Sequence, residues 1–272
     1  MKELIEQRLA KVERDRNVRI LYACESGSRT WGFASTNSDW DVRFLYVQPK
    51  EVYLSVFERR DVIELPIEGD LDISGWDLRK TLRLLRKSNP ALLEWISAPI
   101  VYRQDEHFLA QFRRLAARFY SPAACFHHYL QMARGNYYDY LRGEQVRLKK
   151  YLYVLRPVLA CQWIEQEKGH PPVVFGELVK AQVEDAAVRS AIENLLERKR
   201  SGAEMDEGPR DPVLHAFLDA ELTRLQARRS MLPKSEADTA ELDEFFRHIV
   251  GLIEVMADSP DAASRRHDAA LT

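Results

Sequence analysis

The chain has 272 residues, 46% of them hydrophobic, with 40 Lys and Arg against 42 Asp and Glu. That content places it among ordinary globular proteins with room for a buried core, and the near balance of charge leaves no whole-chain argument for nucleic-acid or membrane affinity. Three cysteines without metal-ligand spacing, an N-terminus without a signal-peptide core and no run of about 18 uncharged apolar residues predict a reduced, cytoplasmic protein with free interior thiols at Cys24, Cys125 and Cys161, with no membrane association.

Leu4, Ile5, Leu9 and Val12 recur at helical spacing and predict an opening amphipathic helix that ends near Arg16-Asn17. Val18 to Ala23 is β-favouring, Gly27-Ser28 supplies a turn, and Asp39 to Val47 reads as a second strand. Arg60 to Leu65 and Asp70 to Trp76 are two more strands, with Pro66 to Gly69 as the intervening turn. From Trp76 the period changes: Leu78, Leu82, Leu84 and Leu85 alternate with Arg79, Lys80, Arg83, Arg86 and Lys87 in a basic amphipathic helix that Asp77 is placed to cap. Asn89-Pro90 starts a helix through Ile96, with Asn89 as N-cap and Pro90 in its first turn. After a short apolar stretch, Ala98 to Tyr102, helices are predicted over 105–119, 122–142, 146–167, 175–183, 184–199, 212–229 and 235–257, with a polar loop at 201–209. The fold class is α+β: a β-containing domain over 1–103, a helical domain over 104–258 and a frayed, disordered tail over 259–272.

The chemistry concentrates between Cys24 and Val47. In an extended strand, residues two apart share a face, so Asp39 and Asp41 aim their carboxylates at one point from alpha carbons about 6.5–7 Å apart, while Trp40 turns toward the body of the protein. Two close carboxylates repel by a few kcal/mol in a partly buried site, and a divalent cation relieves that repulsion. Hard oxygen donors suit Mg²⁺, which fills its remaining positions with water and substrate phosphates. A third acid on an adjacent strand would complete a two-metal site. Asp72 is the first choice, because its side chain projects opposite to those of Leu71 and Ile73; Asp70 or Asp77 could replace it, although a turn and a helix cap explain those two. Gly27 lets backbone N–H groups approach a polyphosphate and the Ser28 hydroxyl can donate to a phosphate oxygen.

This order of strand, Gly-Ser, spacer, Asp-x-Asp and later strand acid resembles the nucleotidyltransferases of the DNA polymerase β superfamily. Gly27 to Gly32, Ser38 to Arg43, Asp72 to Lys80, Asn89-Pro90 through Glu94-Trp95 and Lys149 to Arg156 are similar, more closely, to a bacterial and phage family of predicted nucleotidyltransferases associated with RNA repair. The resemblance implies a nucleotidyltransferase palm with a mixed β-sheet and flanking helices, followed by an all-helical C-terminal domain. It implies two Mg²⁺ ions and a nucleoside triphosphate such as ATP as substrate. It assigns Gly27 and Ser28 to the triphosphate and Asp39, Asp41 and Asp72 to the metals and to catalysis. The expected reaction moves a nucleoside monophosphate to an acceptor hydroxyl, an RNA end or another molecule, and releases pyrophosphate. Modification of a partner protein's hydroxyl (AMPylation) and a nucleotide-binding regulatory module without turnover are the alternatives.

Other features stay open at this stage. Arg43, on the Asp41 face, either touches phosphate or neutralises the acids. Lys149 and Arg156 share a helix face with Tyr153 between them, and that face, with Lys150, is assigned to the triphosphate beside the bland reading of a solvated surface. The Arg79–Lys87 helix, near Trp76 and Trp95, either guides an RNA strand or is solvated. His127-His128 lies mid-helix, one ring expected inward and packed rather than bound to zinc.

Overall fold

The computed structural model describes residues 1–201, 207–228, 232 and 237–257, with side chains to residue 251. The expected tail over 259–272 and residues 202–206 of the expected loop lie outside the described residues. α1 (Lys2–Arg16) buries Ile5, Leu9 and Val12 and ends at Asn17, whose φ of 50° is the left-handed cap that asparagine tolerates. β1 (Arg19–Glu25) leads through the one-turn α2 (Gly27–Thr30) to β2 (Trp40–Val47), antiparallel to it. α3 (Lys50–Tyr53) and β3 (Val62–Glu64) precede β4 (Leu71–Asp77), which runs parallel to β2 and carries β3 antiparallel on its outer side. α4 (Leu78–Arg86) and α5 (Pro90–Ile96) follow, capped as expected: Asp77 Oδ1 accepts from Arg79 N at 2.8 Å and Asn89 Oδ1 from Leu92 N at 3.2 Å. β5 (Val101–Gln104) then adds to β1, which completes the mixed sheet in the order β3-β4-β2-β1-β5.

Among the described residues the regular structure of the remainder is helical apart from one small ribbon: α6 (Glu106–Phe119), α7 (Pro122–Tyr140), β6 (Gln145–Val146), α8 (Lys149–Glu165), α9 (Phe175–Gln182), α10 (Ala186–Arg200), β7 (Gly208–Pro209), α11 (Pro212–Arg228) and α12 (Ala240–Ala257). β6 and β7 pair antiparallel where the sequence predicts the start of a helix and a polar loop. Strands of two residues have no alternation to read, which is why periodicity passes over them. The α+β class is as expected from the sequence.

Two apolar layers hold the sheet. Ile5, Leu9 and Val12 of α1 pack with Ile20, Ala23, Val42, Phe44, Tyr46, Leu71 and Ile73 on one face. On the other, Leu21, Cys24, Leu45 and Val47 pack with α4 to α12 in one continuous core. Side chains alternate along a strand, so the face is set by parity. The even residues of β2 go to α1, and the odd ones, Asp41 and Arg43 included, share the face of Leu45 and Val47, toward the helices. Gly75 of β4 lies opposite Phe44, and a Cβ there would overlap the Phe44 ring, so the close β2–β4 pairing needs glycine. All three cysteines are buried and free. Among the described residues no helix is long and apolar enough to cross a membrane.

Candidate active site

The parallel register of β2 and β4 sets Asp41 directly opposite Asp72. Arg43, two residue pairs further along, reaches back to both: its Nη2 donates to Asp41 Oδ1 at 3.1 Å and to Asp72 Oδ2 at 2.7 Å, while Nη1 donates to the carbonyls of Val42 and Asp72 at 3.0 and 3.2 Å. Of the two readings of Arg43, neutralisation of the acids is the contact present. Asp39 precedes β2 and is exposed; its carbonyl accepts from Arg29 Nε at 3.0 Å, and the Arg29 guanidinium covers the Trp40 ring at 3.7 Å. Trp40 itself packs on the α1 side, opposite to Asp41.

Burial pushes the Asp41 carboxyl above its ordinary value; Arg43 opposes this, and the negative charges of Asp72 and Asp39 add to it. Among the described residues no three His, Cys, Asp or Glu side chains already form a metal-binding group; the Arg43 guanidinium stands between Asp41 and Asp72 instead. Asp70 is exposed, and its carbonyl accepts from Trp40 N at 2.6 Å. Asp77 is buried at the far end of β4, where it caps α4 and accepts from Tyr53 Oη at 2.7 Å and Gln48 Nε2 at 3.2 Å. Asp72 is thus the one of these three acids that meets Asp41.

Gly27 approaches the same carboxylate from β1. It has φ 63°, and an added Cβ would stand 3.1 Å from Asp41 Cγ and closer still to Oδ2. Ser26 N donates to the Asp41 carbonyl at 2.8 Å, which ties the turn to the strand, and Ser28 is half-buried beside it. Gly27→Ala therefore meets both a strained backbone conformation and an occupied space. We expect it to cost about 1–3 kcal/mol of stability, the range for backbone strain. Calorimetric unfolding checks this, and a wild-type value would contradict it.

Glu25 is a residue that motif reasoning passes over. It is fully buried; its Oε1 accepts from Asp41 N at 2.9 Å and Oε2 accepts from the Tyr102 hydroxyl. A charged residue in a strand buried on both faces, next to the glycine turn, was the available signal. Burial raises its carboxyl above the ordinary 4.5, although the bonds from Tyr102 and Asp41 N oppose the rise. A carboxyl raised in the folded state favours the native form while protonated, so its contribution is lost as pH rises from the unfolded pKa through the folded one. Glu25→Gln keeps an acceptor for Asp41 N–H and removes the titration. The difference in Tm, variant minus wild type, is expected to grow as pH rises from about 4 to about 7; a flat or falling difference contradicts this assignment.

From the helical side, Tyr153 of α8 meets Trp31 edge-on with ring centroids 5.5 Å apart. Burial and then the charges of Asp41 and Asp39 raise its hydroxyl pKa. Lys150 is half-buried and Lys149 exposed at the start of α8. Arg156, expected on the same cationic face, is 3% exposed and donates from Nη1 to Glu94 Oε1 at 2.8 Å. The face is continuous, but α8 runs from solvent into the core within two turns, so what is solvated at Lys149 is interior at Arg156. Glu94 also accepts from Tyr129 Oη at 2.7 Å and Trp31 Nε1 at 3.2 Å, and the Arg156 guanidinium covers the Trp31 ring at 4.6 Å.

The basic helix is largely matched by neighbours. Lys80 pairs with Asp61 at 3.2 Å, Arg83 with Glu58 at 3.7 Å, and Arg79 donates to the Tyr53 carbonyl at 3.2 Å. Trp76 and Trp95 stack on each other with centroids 3.8 Å apart and Trp95 is buried, so they offer no open platform to a base. His127 and His128 are both half-buried, and burial lowers the His128 pKa.

Known proteins bear out the family resemblance. The chain is 48% identical over 251 residues to the uncharacterised protein YcgL of Bacillus subtilis (strain 168), covering 92% of this chain and 96% of that protein. A solved nucleotidyltransferase-like protein from Exiguobacterium sibiricum 255-15 matches 82% of this chain and 75% of its own, at 16% identity and a TM-score of 0.31, too distant to bear on the site. A family model described as the RNA repair pathway DNA polymerase beta family matches residues 1–248. With that match over nearly the whole length, the chain belongs to the RNA repair pathway DNA polymerase beta family.

Proposed function

We propose that this protein is a Mg²⁺-dependent nucleotidyltransferase that moves a nucleoside monophosphate from a triphosphate to an acceptor hydroxyl. The observation that carries the proposal is the meeting of Asp41 with Asp72 across a parallel strand pair, directly against the Gly27 turn. In this reading residues 1–103 are the palm and 104–258 a helical domain that closes over it with Tyr153.

The donor set fits a hard divalent cation: carboxylate oxygens only, on an Asp41 whose pKa is raised first by burial and then by the charges of Asp72 and Asp39, with Arg43 opposing. Asp39, Asp41 and Asp72 would hold it, and it would neutralise the triphosphate and activate its phosphorus toward attack. The chain's own groups do the rest. Gly27 and Ser28 bind the phosphates through backbone N–H and hydroxyl; Arg43, Lys149 and Lys150 add positive charge; Tyr153 bounds the nucleotide. The acceptor oxygen bonds to the α-phosphorus, the bond from that phosphorus to the bridging oxygen breaks, pyrophosphate leaves with the electron pair, and the hydroxyl proton passes to Asp72.

The test is pyrophosphate release from purified protein with Mg²⁺ and each nucleoside triphosphate, offered RNA, protein or small-molecule acceptors. Transfer to RNA is the expected result. Label appearing only on protein would replace the acceptor, and tight triphosphate binding with no release against any acceptor would leave a regulatory module in place of an enzyme.

A further inference from the structure

Leading away from the carboxylates, the start of α8 and the end of α7 carry a row of rings and cations longer than a single triphosphate requires. Tyr153, 39% exposed, comes first, against Trp31. Lys150 Nζ follows, 5.1 Å from the centre of the Tyr153 ring and 4.2 Å from that of Tyr140, and it donates to Asn136 Oδ1 at 3.3 Å. The exposed Arg147 then covers the other end of the row, its guanidinium 5.2 Å from the Tyr140 ring centre. The order is ring, cation, ring, cation. Positive charge is in excess: burial and then Lys149 and Arg147 lower the Lys150 pKa, with Asp139 as the opposing acid.

Two features separate this row from a mononucleotide pocket. A nucleoside triphosphate has one base and contiguous phosphates, so it can use one ring; two rings separated by a cation match a chain in which bases and phosphates alternate. Stacking on a tyrosine also needs unpaired bases, which a duplex does not offer.

We propose that Tyr153, Lys150, Tyr140 and Arg147 form the track for a single-stranded RNA acceptor, with successive bases on the two tyrosines, the intervening phosphate at Lys150 and the next one at Arg147. The direction of the strand, its terminal hydroxyl toward Asp41 and Asp72, rests on the nucleotidyl-transfer reading; the binding of RNA does not.

The experiment measures fluorescence anisotropy of a labelled, mixed-sequence single-stranded oligoribonucleotide with the full chain across a salt series, and ATP with Mg²⁺ by calorimetry in parallel. Tyr140→Ala is expected to weaken RNA binding about tenfold, the scale of one lost stacking contact, while Tyr140→Phe keeps wild-type affinity. Arg147→Ala, at an exposed position that leaves the fold alone, is expected to weaken RNA binding and flatten its salt dependence by about one phosphate contact. ATP binding stays unchanged in all three, and a duplex of the same sequence binds more weakly. Unchanged RNA affinity in Tyr140→Ala and Arg147→Ala overturns the track. So do equal losses of ATP and RNA binding, competition by polyglutamate as strong as by unlabelled RNA, or a wild-type protein that does not bind RNA. If no acceptor is ever modified but the variants lose RNA as described, the reaction falls and the track stands.

Discussion

Asp41→Asn is expected to leave a folded protein in which the proposed nucleotidyl transfer falls by on the order of 10³-fold, the upper scale of losing one preorganised electrostatic contact. The size follows from position. Asp41 is the acid that meets Asp72 across the sheet, shares Arg43 with it and stands against Gly27. The amide is isosteric, but it removes one negative charge and turns one acceptor into a donor beside a guanidinium that only donates. Folding is spared because the backbone bonds that hold the residue, Asp41 N to Glu25 and Ser26 N to the Asp41 carbonyl, do not use its carboxylate. Thermal unfolding and pyrophosphate release on the same preparation check both halves. The exposed Asp70→Asn serves as the control that keeps activity. Wild-type turnover in Asp41→Asn would remove the site from this part of the sheet.

The second large effect is on stability. Arg156→Ala strands Glu94 in the core with only Tyr129 and Trp31 as donors, and removal of one partner of a buried ion pair costs about 3–5 kcal/mol. At roughly 2–4 °C per kcal/mol for a chain of this size, Tm should fall by about 10 °C. The double variant Arg156→Met with Glu94→Gln regains part of that loss, because the buried charge goes with its partner and the amide oxygen introduced by Glu94→Gln still accepts from Tyr129, while the bond from Trp31 Nε1, made to the other carboxylate oxygen, is given up. Singles and double that unfold together with wild type would show the pair to be dispensable. Transfer activity should suffer in the single variant too, since Trp31 rests on this pair and Tyr153 rests on Trp31.

The sequence was most informative where the structure is local. Alternation in β4, helical spacing in α1 and the caps Asp77 and Asn89 all depend on neighbours a few residues away, and their observed forms follow those patterns. The spacing of Asp39 and Asp41 is local as well, and so is the shared face of Asp41 and Arg43. What could not be read is what comes to lie against each element. Arg156 and Lys149 look alike along the chain and differ because Glu94 of α5, together with Tyr129 of α7, meets α8 at Arg156, while Lys149 at the start of the helix is exposed. Trp76 and Trp95 look like a platform until they are found stacked on each other. Glu25 falls in sequence with the glycine turn after the Val18–Ala23 strand, and its role appears only when Asp41 N and Tyr102 converge on it.

β2 and β4 are the parallel pair of this sheet, and residues 48–70 connect them through α3 and β3. Parallel neighbours cannot be joined by a tight turn, so their pairing waits on a crossover, whereas the β1–β2 and β3–β4 contacts close over shorter separations. Asp41 and Asp72 sit one on each side of that junction. A nascent or partly folded chain can already carry Gly27 beside Asp41 and still lack the opposing acid. Completion of the crossover is therefore the event that assembles the carboxylate pair, and a chain interrupted before residue 72 holds the glycine turn without the chemistry.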